Sequence, residues 1–113
     1  NGAFFNNQRI RVSKKKELNG CLFATGGKSK NKIDLTTRKS GSAALDMAYV
    51  AAGRYDGYFQ NNLKLWDVAA GIIMIKEAGG EINDINLSQN KNIKIIASST
   101  AIKAKMLEKL NNF

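Results

Sequence analysis

A chain of 113 residues with 43% hydrophobic and 24% charged residues has the balance of one soluble globular domain, residues 1–113, which excludes a fibre or a disordered tail. It carries no histidine, a single cysteine and a formal net charge of +9, so Ser-His-Asp and Cys-His nucleophiles, His-ligated zinc or iron and an internal disulfide framework are all ruled out. Chemistry must rest on carboxylates, hydroxyls, amides, lysines or backbone groups, a set that suits a hard cation such as magnesium, and only nine carboxylates are present to hold one.

A chain of this size buries roughly 65% of its unfolded surface, enough to fold without staples. Cys21 sits in an apolar run and lacks an internal partner, which fits a reduced, cytoplasmic setting. No apolar stretch approaches a membrane span, so no membrane partner is expected. The opening Asn1-Gly2-Ala3-Phe4-Phe5 lacks the basic region and length of a signal peptide. The first residue is not Met, so an amino-terminal portion is expected to be missing or processed away. The positive charge invites a nucleic-acid reading. The lysines are scattered, however, with Lys14-Lys15-Lys16 in a turn as the nearest cluster and no stacking aromatics between them, so a solvated surface and a functional basic face both stay open.

In chain order, Arg9 to Ser13 alternates Ile10 and Val12 with polar neighbours and predicts a strand, as does the apolar run Cys21 to Thr25. Gly26 to Lys30 reads as a loop. From Ser42 the period changes: Ala44, Leu45, Ala48, Tyr49 and Ala52 recur at three and four residue intervals, with Ser42 placed to cap and Gly53 to terminate a helix of about three turns. Tyr55 to Gln60 predicts a strand. Asp67 can cap a second helix, Val68 to Ala78, anchored by burial of Trp66 and stopped by Gly79-Gly80. Glu81 to Ile85 and Ile93 to Ser98 are two further strands. The last feeds a helix capped by Thr100, with Ile102, Met106, Leu110 and Phe113 on one face. This alternation predicts an α/β layered domain with a mixed, mostly buried β-sheet flanked by helices.

Two segments carry chemistry. Asp67 reads either as a plain N-cap or as a carboxylate turned outward to a cation. Gly41-Ser42-Ala43 opens a helix whose free amides and positive dipole end favour anionic or polar groups, as any well-capped helix does. Asp34, Asp46, Asp56 and Asp84 read as caps, turn residues or solvated charges, and Cys21 as a core residue.

Gly41-Ser42-Ala43-Ala44-Leu45-Asp46-Met47-Ala48-Tyr49-Val50-Ala51-Ala52-Gly53-Arg54-Tyr55-Asp56-Gly57, then Leu63-Lys64-Leu65-Trp66-Asp67-Val68-Ala69-Ala70-Gly71, then Glu77-Ala78-Gly79-Gly80 closely resemble the carboxyl-terminal signature of the inositol monophosphatase family, including its bacterial SuhB-type members. Gly2-Ala3-Phe4-Phe5-Asn6 and Arg9-Ile10-Arg11-Val12-Ser13 resemble the family just past the middle of its chain. The resemblance implies the carboxyl-terminal half of an αβαβα sandwich, with the amino-terminal metal-binding half absent. The family's acidic motifs, an Asp-Pro-Ile/Leu-Asp-Gly-Thr run and an upstream Glu, would lie before Asn1. The link from Phe23-Ala24-Thr25-Gly26-Gly27 to Gly41 is shorter than in relatives, pointing to a deletion or a disordered stretch.

By resemblance the intact protein is a magnesium-dependent phosphomonoesterase, an inositol-phosphate-type phosphatase using metal-activated water. The resemblance makes Asp67 a magnesium ligand that also approaches a substrate hydroxyl. It assigns Gly41, Ser42 and Ala43 backbone contacts to the substrate alcohol. Gln60 stands where relatives often have glutamate contacting sugar hydroxyls, and an amide can serve there too. No residue of this chain is assigned a catalytic role, and the chain alone is expected to be inactive. The substrate would be a phosphorylated polyol or sugar. The full-length protein would be a homodimer, with Arg54 and Tyr49 at a dimer contact or in local packing. The competing reading is a non-catalytic SuhB-type module making a weak contact with nucleic acid or a transcription factor, supported here by the basic surface alone.

Overall fold

The computed structural model describes every residue except 1, 6–7, 27–32, 87 and 111–112. In chain order it forms strands β1 (Ala3–Phe5), β2 (Gln8–Ile10), β3 (Phe23–Thr25) and β4 (Thr37–Arg38), helix α1 (Ala43–Ala51), strand β5 (Gly57–Leu63), helix α2 (Leu65–Glu77), and strands β6 (Gly80–Ile82) and β7 (Ile93–Ser99). A 3-10 turn at Thr100–Ile102 then leads into α3 (Lys103–Lys109). β1 and β2 form an antiparallel pair of their own. The other five strands make one sheet in the order β4-β3-β5-β7-β6. In it β4 and β5 run parallel to β3, while β7 is antiparallel to both β5 and β6. This is the expected mixed sheet flanked by helices.

The period-two alternation of β5 divides the core. Tyr58 is fully buried on one face among Met47, Val50, Val68, Ile75 and Ile95, the layer of α1 and α2. Phe59 is buried on the other face among Phe23, Ile102, Met106 and Leu110, the layer of α3. Phe113 closes that layer with its ring edge-on to Phe59 at 5.2 Å. Each such side chain contributes about 1.5–3 kcal/mol by leaving water. That is why the four apolar residues expected on one face of the last helix do share a layer, although only Met106 of them lies within α3 itself.

Element boundaries depart from the sequence reading in instructive places. α2 begins at Leu65 with Lys64 as its N-cap and no side-chain cap, so Asp67 is not the N-cap but the third helical residue. Trp66 is 70% exposed and does not anchor the turn by burial; the Lys64 ammonium lies 5.2 Å from its ring centre instead. Thr100 does not cap the last helix: it opens the 3-10 turn that precedes α3. β5 starts at Gly57 rather than Tyr55, because Tyr55 leaves the strand to meet Tyr49 edge-on at 5.5 Å. β4 was not expected; its two residues are too few for any period to register. Val12 falls beyond β2, where its amide donates to the Ala78 carbonyl at 3.1 Å. Of the expected loop at 26–30 only Gly26 is described, and the short link toward Gly41 is described from residue 33 onward, where β4 lies.

Asp46 and Asp56 are not solvated: they are 1% and 2% exposed. Asp56 locks the approach to β3. Its Oδ2 accepts from the Leu22 amide at 2.7 Å and faces the Lys15 ammonium at 3.6 Å, while its own amide donates to the Leu22 carbonyl. Asp34 and Asp84 are exposed as expected.

α1 and α2 meet at Gly71, where a Cβ would stand 2.7 Å from Met47 Sδ and 2.8 Å from Met47 Cβ. In an isolated helix Gly→Ala gains up to about 1 kcal/mol, but overpacking a fitted contact costs about 1–3 kcal/mol. Gly71→Ala should therefore lower unfolding stability by on the order of 1 kcal/mol in urea titration. Pairing it with Met47→Ala should cost less than the two changes added, because the second removes the obstacle created by the first.

Candidate active-site cleft

β5 sets the geometry through an interruption. It pairs Gln60 with Ile95 and Leu63 with Ile93, so Asn61 and Asn62 together oppose the single residue Lys94. Asn62 absorbs the extra residue at φ 60°, a left-handed conformation that asparagine tolerates better than most. In an unbroken strand residue 62 would follow Tyr58 and Gln60 onto the helix-facing side. With the bulge it is Leu63 that turns inward and is buried. α2 then starts at once, and its first turn swings Trp66 and Asp67 over the end of the strand.

The result is a cleft of about 460 Å³ lined by Gly26, Gly41, Ser42, Ala43, Ala44, Asp46, Gln60, Leu63, Trp66 and Asp67. All five residues singled out by sequence, Gly41, Ser42, Ala43, Gln60 and Asp67, border it. Gly41 takes φ +84°, turning the chain into α1. Ser42 is the true N-cap: its Oγ accepts from the Leu45 amide at 3.1 Å. Ser42's own amide donates to Ser40 Oγ at 3.1 Å and is therefore engaged. The amides of Ala43 and Ala44, the first two helical positions, have no intrahelical acceptor and offer the positive end of the helix to the cleft.

Asp67 is exposed on the rim. Among the described residues nothing pairs with its carboxylate, and its place in the first turn of α2 is favourable by about 0.3–1 kcal/mol from the helix dipole. Asp46, one helical turn inside α1, is buried against the cleft floor, and its Oδ1 has no hydrogen-bond partner. Burial pushes its carboxyl above the usual carboxylate value, with Ser40 offsetting part of the effect. Burial, followed by the nearby charges of Asp46 and Asp67, also drives the Tyr58 phenol upward. Tyr58 thus keeps its proton, which it donates to Gln60 Oε1.

The family model for the inositol monophosphatase family matches residues 1–112. The chain belongs to the inositol monophosphatase family. Among curated relatives, a protein named Nus factor SuhB from Xylella fastidiosa is 43% identical over 98 residues, covering 74% of this chain and 36% of that protein. The Nus factor SuhB of Escherichia coli K12 is 38% identical over 128 residues, covering 98% of this chain and 48% of its own length. Among solved structures, the extragenic suppressor protein SuhB of Bartonella henselae superposes with a TM-score of 0.81 at 38% identity, over 98% of this chain and 49% of that one. The inositol monophosphatase of Anabaena gives 0.82 at 32% identity, over 97% and 50%. The chain thus spans about half, or less, of the relatives it matches.

The donor set bears on the family's metal. Asp67 presents an accessible hard oxygen of the kind magnesium favours, but among the described residues no three His, Cys, Asp or Glu side chains group together to enclose an ion. The chain fits as contributor of part of a ligand set. Sequence reasoning missed Asp46, Ala44, Gly26, Leu63 and Trp66 as lining residues. The position of Asp46, four residues after the cap, was a usable signal, since it lies on the same side of the helix as Ser42.

Asp46 carries a pH signature. Its folded-state value is raised above the ordinary one, so the folded chain holds that proton more tightly than the unfolded chain. Its stabilising contribution is full below about 3.8 and is lost as pH rises through the raised value. Asp46→Asn should flatten the fall in stability between acid and neutral pH, read by urea unfolding across that range. An unchanged slope would mean that Asp46 is not the group responsible.

Proposed function

We propose that the protein containing this chain is a magnesium-dependent phosphomonoesterase acting on a phosphorylated polyol or sugar, and that this chain forms the wall holding the alcohol portion. The supporting observation is convergence: an exposed carboxylate, a half-buried amide and the free first-turn amides of a helix face one cleft of about 460 Å³. In this reading Asp67 supplies one oxygen ligand to magnesium and reaches a substrate hydroxyl. Gln60 and the backbone of Gly41, Ser42 and Ala43 orient the alcohol, with the Ala44 amide beside them. When bound, magnesium supplies Lewis-acid activation of water and of the phosphoryl group. A cytoplasmic setting is supported by Cys21, buried and unpaired, whose Sγ donates to the Glu17 carbonyl at 3.1 Å. Among the described residues no helix is long and apolar enough to cross a membrane. A homodimer of the full-length protein is part of the proposal, with the exposed Arg54, stacked 5.3 Å from the Tyr49 ring centre, at the contact.

The full-length protein should hydrolyse inositol or sugar monophosphates with magnesium, whereas a verified 113-residue preparation should not. In the full-length protein Asp67→Asn should leave stability within roughly 1 kcal/mol, because only a first-turn dipole interaction is lost. Its magnesium requirement should rise and turnover fall by orders of magnitude. An unchanged rate and magnesium dependence in the folded variant would remove Asp67 from the site.

A second reading, a non-catalytic module acting on the transcription machinery or RNA, is favoured by the relatives named Nus factor SuhB and by the net charge of +9. Scattered lysines neutralise phosphates without reading bases, so RNA binding should be weak and fall steeply with salt. A sequence-selective complex surviving about 150 mM salt would favour this reading over the enzyme.

A further inference from the structure

The Gln60 side chain is held from two sides. Tyr58 and Gln60 are two residues apart on one face of β5, and the phenol hydroxyl of the fully buried Tyr58 donates to Gln60 Oε1. On the other side, Gly26 at the end of β3 has its backbone against the amide. A Cβ there would overlap Oε1, lie 2.8 Å from Cδ and come within 3.1 Å of Nε2. The parallel register that brings Gly26 to this place is fixed next door, where Thr25 Oγ1 donates to the Phe59 carbonyl at 2.6 Å.

A primary amide has one face that only accepts and one that only donates. A phenol has a single proton, and here it is spent on Oε1. One lone pair of the amide oxygen is thereby taken within the protein and the Gly26 backbone crowds that same atom most closely, so the polar atom of residue 60 best placed to serve the cleft is Nε2, a donor. A carboxylate at this position, clamped in the same way, would instead turn a free oxygen to the cleft and present an acceptor with negative charge.

We propose that Tyr58 is a positioning residue that locks the Gln60 amide with its NH2 toward the cleft, so that the ligand group meeting residue 60 must be an acceptor, such as a hydroxyl, ether or carbonyl oxygen. An ammonium, which can only donate, is disfavoured at that position. The inference rests on the reading of the cleft as an alcohol site. It goes further in naming the polarity of one subsite and the residue that imposes it.

The test uses the full-length protein with magnesium and two series of substrates: polyol or hexose monophosphates, and analogues carrying one ammonium in place of a hydroxyl at each ring position in turn. At one position the parent should prefer hydroxyl over ammonium by at least about tenfold in kcat/KM, since a site with a fixed donor rejects a group that cannot accept. Gln60→Glu should reverse the preference at that same position. Tyr58→Phe should collapse it to within about threefold, by freeing the amide to turn. A folded Tyr58→Phe variant that keeps the parent's ratio would overturn the proposal, as would a parent that discriminates at no position.

A second measurement does not need turnover. The carboxyl introduced by Gln60→Glu should titrate lower with Tyr58 present than in the Gln60→Glu/Tyr58→Phe double variant, followed by carbon-13 NMR, because the phenol stabilises the charged form. Equal titration would overturn the clamp itself. If no phosphomonoester is hydrolysed but this difference is seen, the phosphatase reading fails while the clamp stands.

Discussion

Strand β5 is buried on both faces, and most of what is distinctive in this chain follows from that constraint. A strand enclosed between two helical layers cannot slip by one residue, because every side chain would change layers. Tyr58 would lose the α1/α2 layer and Phe59 the α3 layer. The pairing of Gly57 to Gln60 with Ile95 to Ser98 is therefore fixed on both sides at once. The bulge after Gln60 is the one place where the register is allowed to shift. It lies where the strand leaves the double-sided core and where the cleft begins.

That position explains how a small number of elements build the site. Helix α1 arrives with its amino end at the same edge of the sheet, because only Lys39 and Ser40 separate Gly41 and Ser42 from the parallel edge strand β4. Helix α2 departs from that edge as soon as the bulge has turned Leu63 inward. Two helix starts and one strand end converge, so unpaired amides, the Gln60 side chain and the Asp67 carboxylate are gathered without a long loop. The cost falls on Asp46, a carboxylate enclosed against the floor with one oxygen unpartnered. Its burial is unfavourable to the charged form and would not be expected of a residue serving stability alone.

What was legible in the sequence were the features that repeat or that belong to a particular signature. α1 and its serine cap, the long strand β7 and the apolar face of Ile102, Met106 and Leu110 were readable because their periods extend over several residues. The family and the five cleft residues were readable from motif. The capping role of Asp67 was misread because Trp66 resembled a buried anchor, whereas a cation over its ring leaves it in solvent, and the helix consequently starts earlier. Asp46 and Asp56 were misread because a charged residue is normally outside. The sequence offers no local sign that the Leu22 amide and the Lys15 ammonium would meet Asp56 from more than thirty positions away. β4 and the bulge escaped for a related reason: two residues carry no period, and a register shift is a property of the pair of strands.

The allocation of seven of the nine carboxylates bears on what the cleft can do. Glu17, Asp34 and Glu81 face Lys105, Lys109 and Lys103 respectively, at 2.7, 3.1 and 3.4 Å. Glu77 accepts from the Gly2 amide and Asp56 from the Leu22 amide. Exposed ion pairs of this type contribute little to stability, at most about 1 kcal/mol each, but they place those charges away from the cleft. Asp46 and Asp67 are the carboxylates that border it, and only Asp67 is exposed. Among the described residues the cleft wall offers one accessible carboxylate, one half-buried amide that accepts from Tyr58 and two first-turn helix amides, and in the proposed reading these orient an alcohol and complete a cation's coordination. In that reading the rest of the site would come from outside this chain, and the relatives it matches are about twice as long.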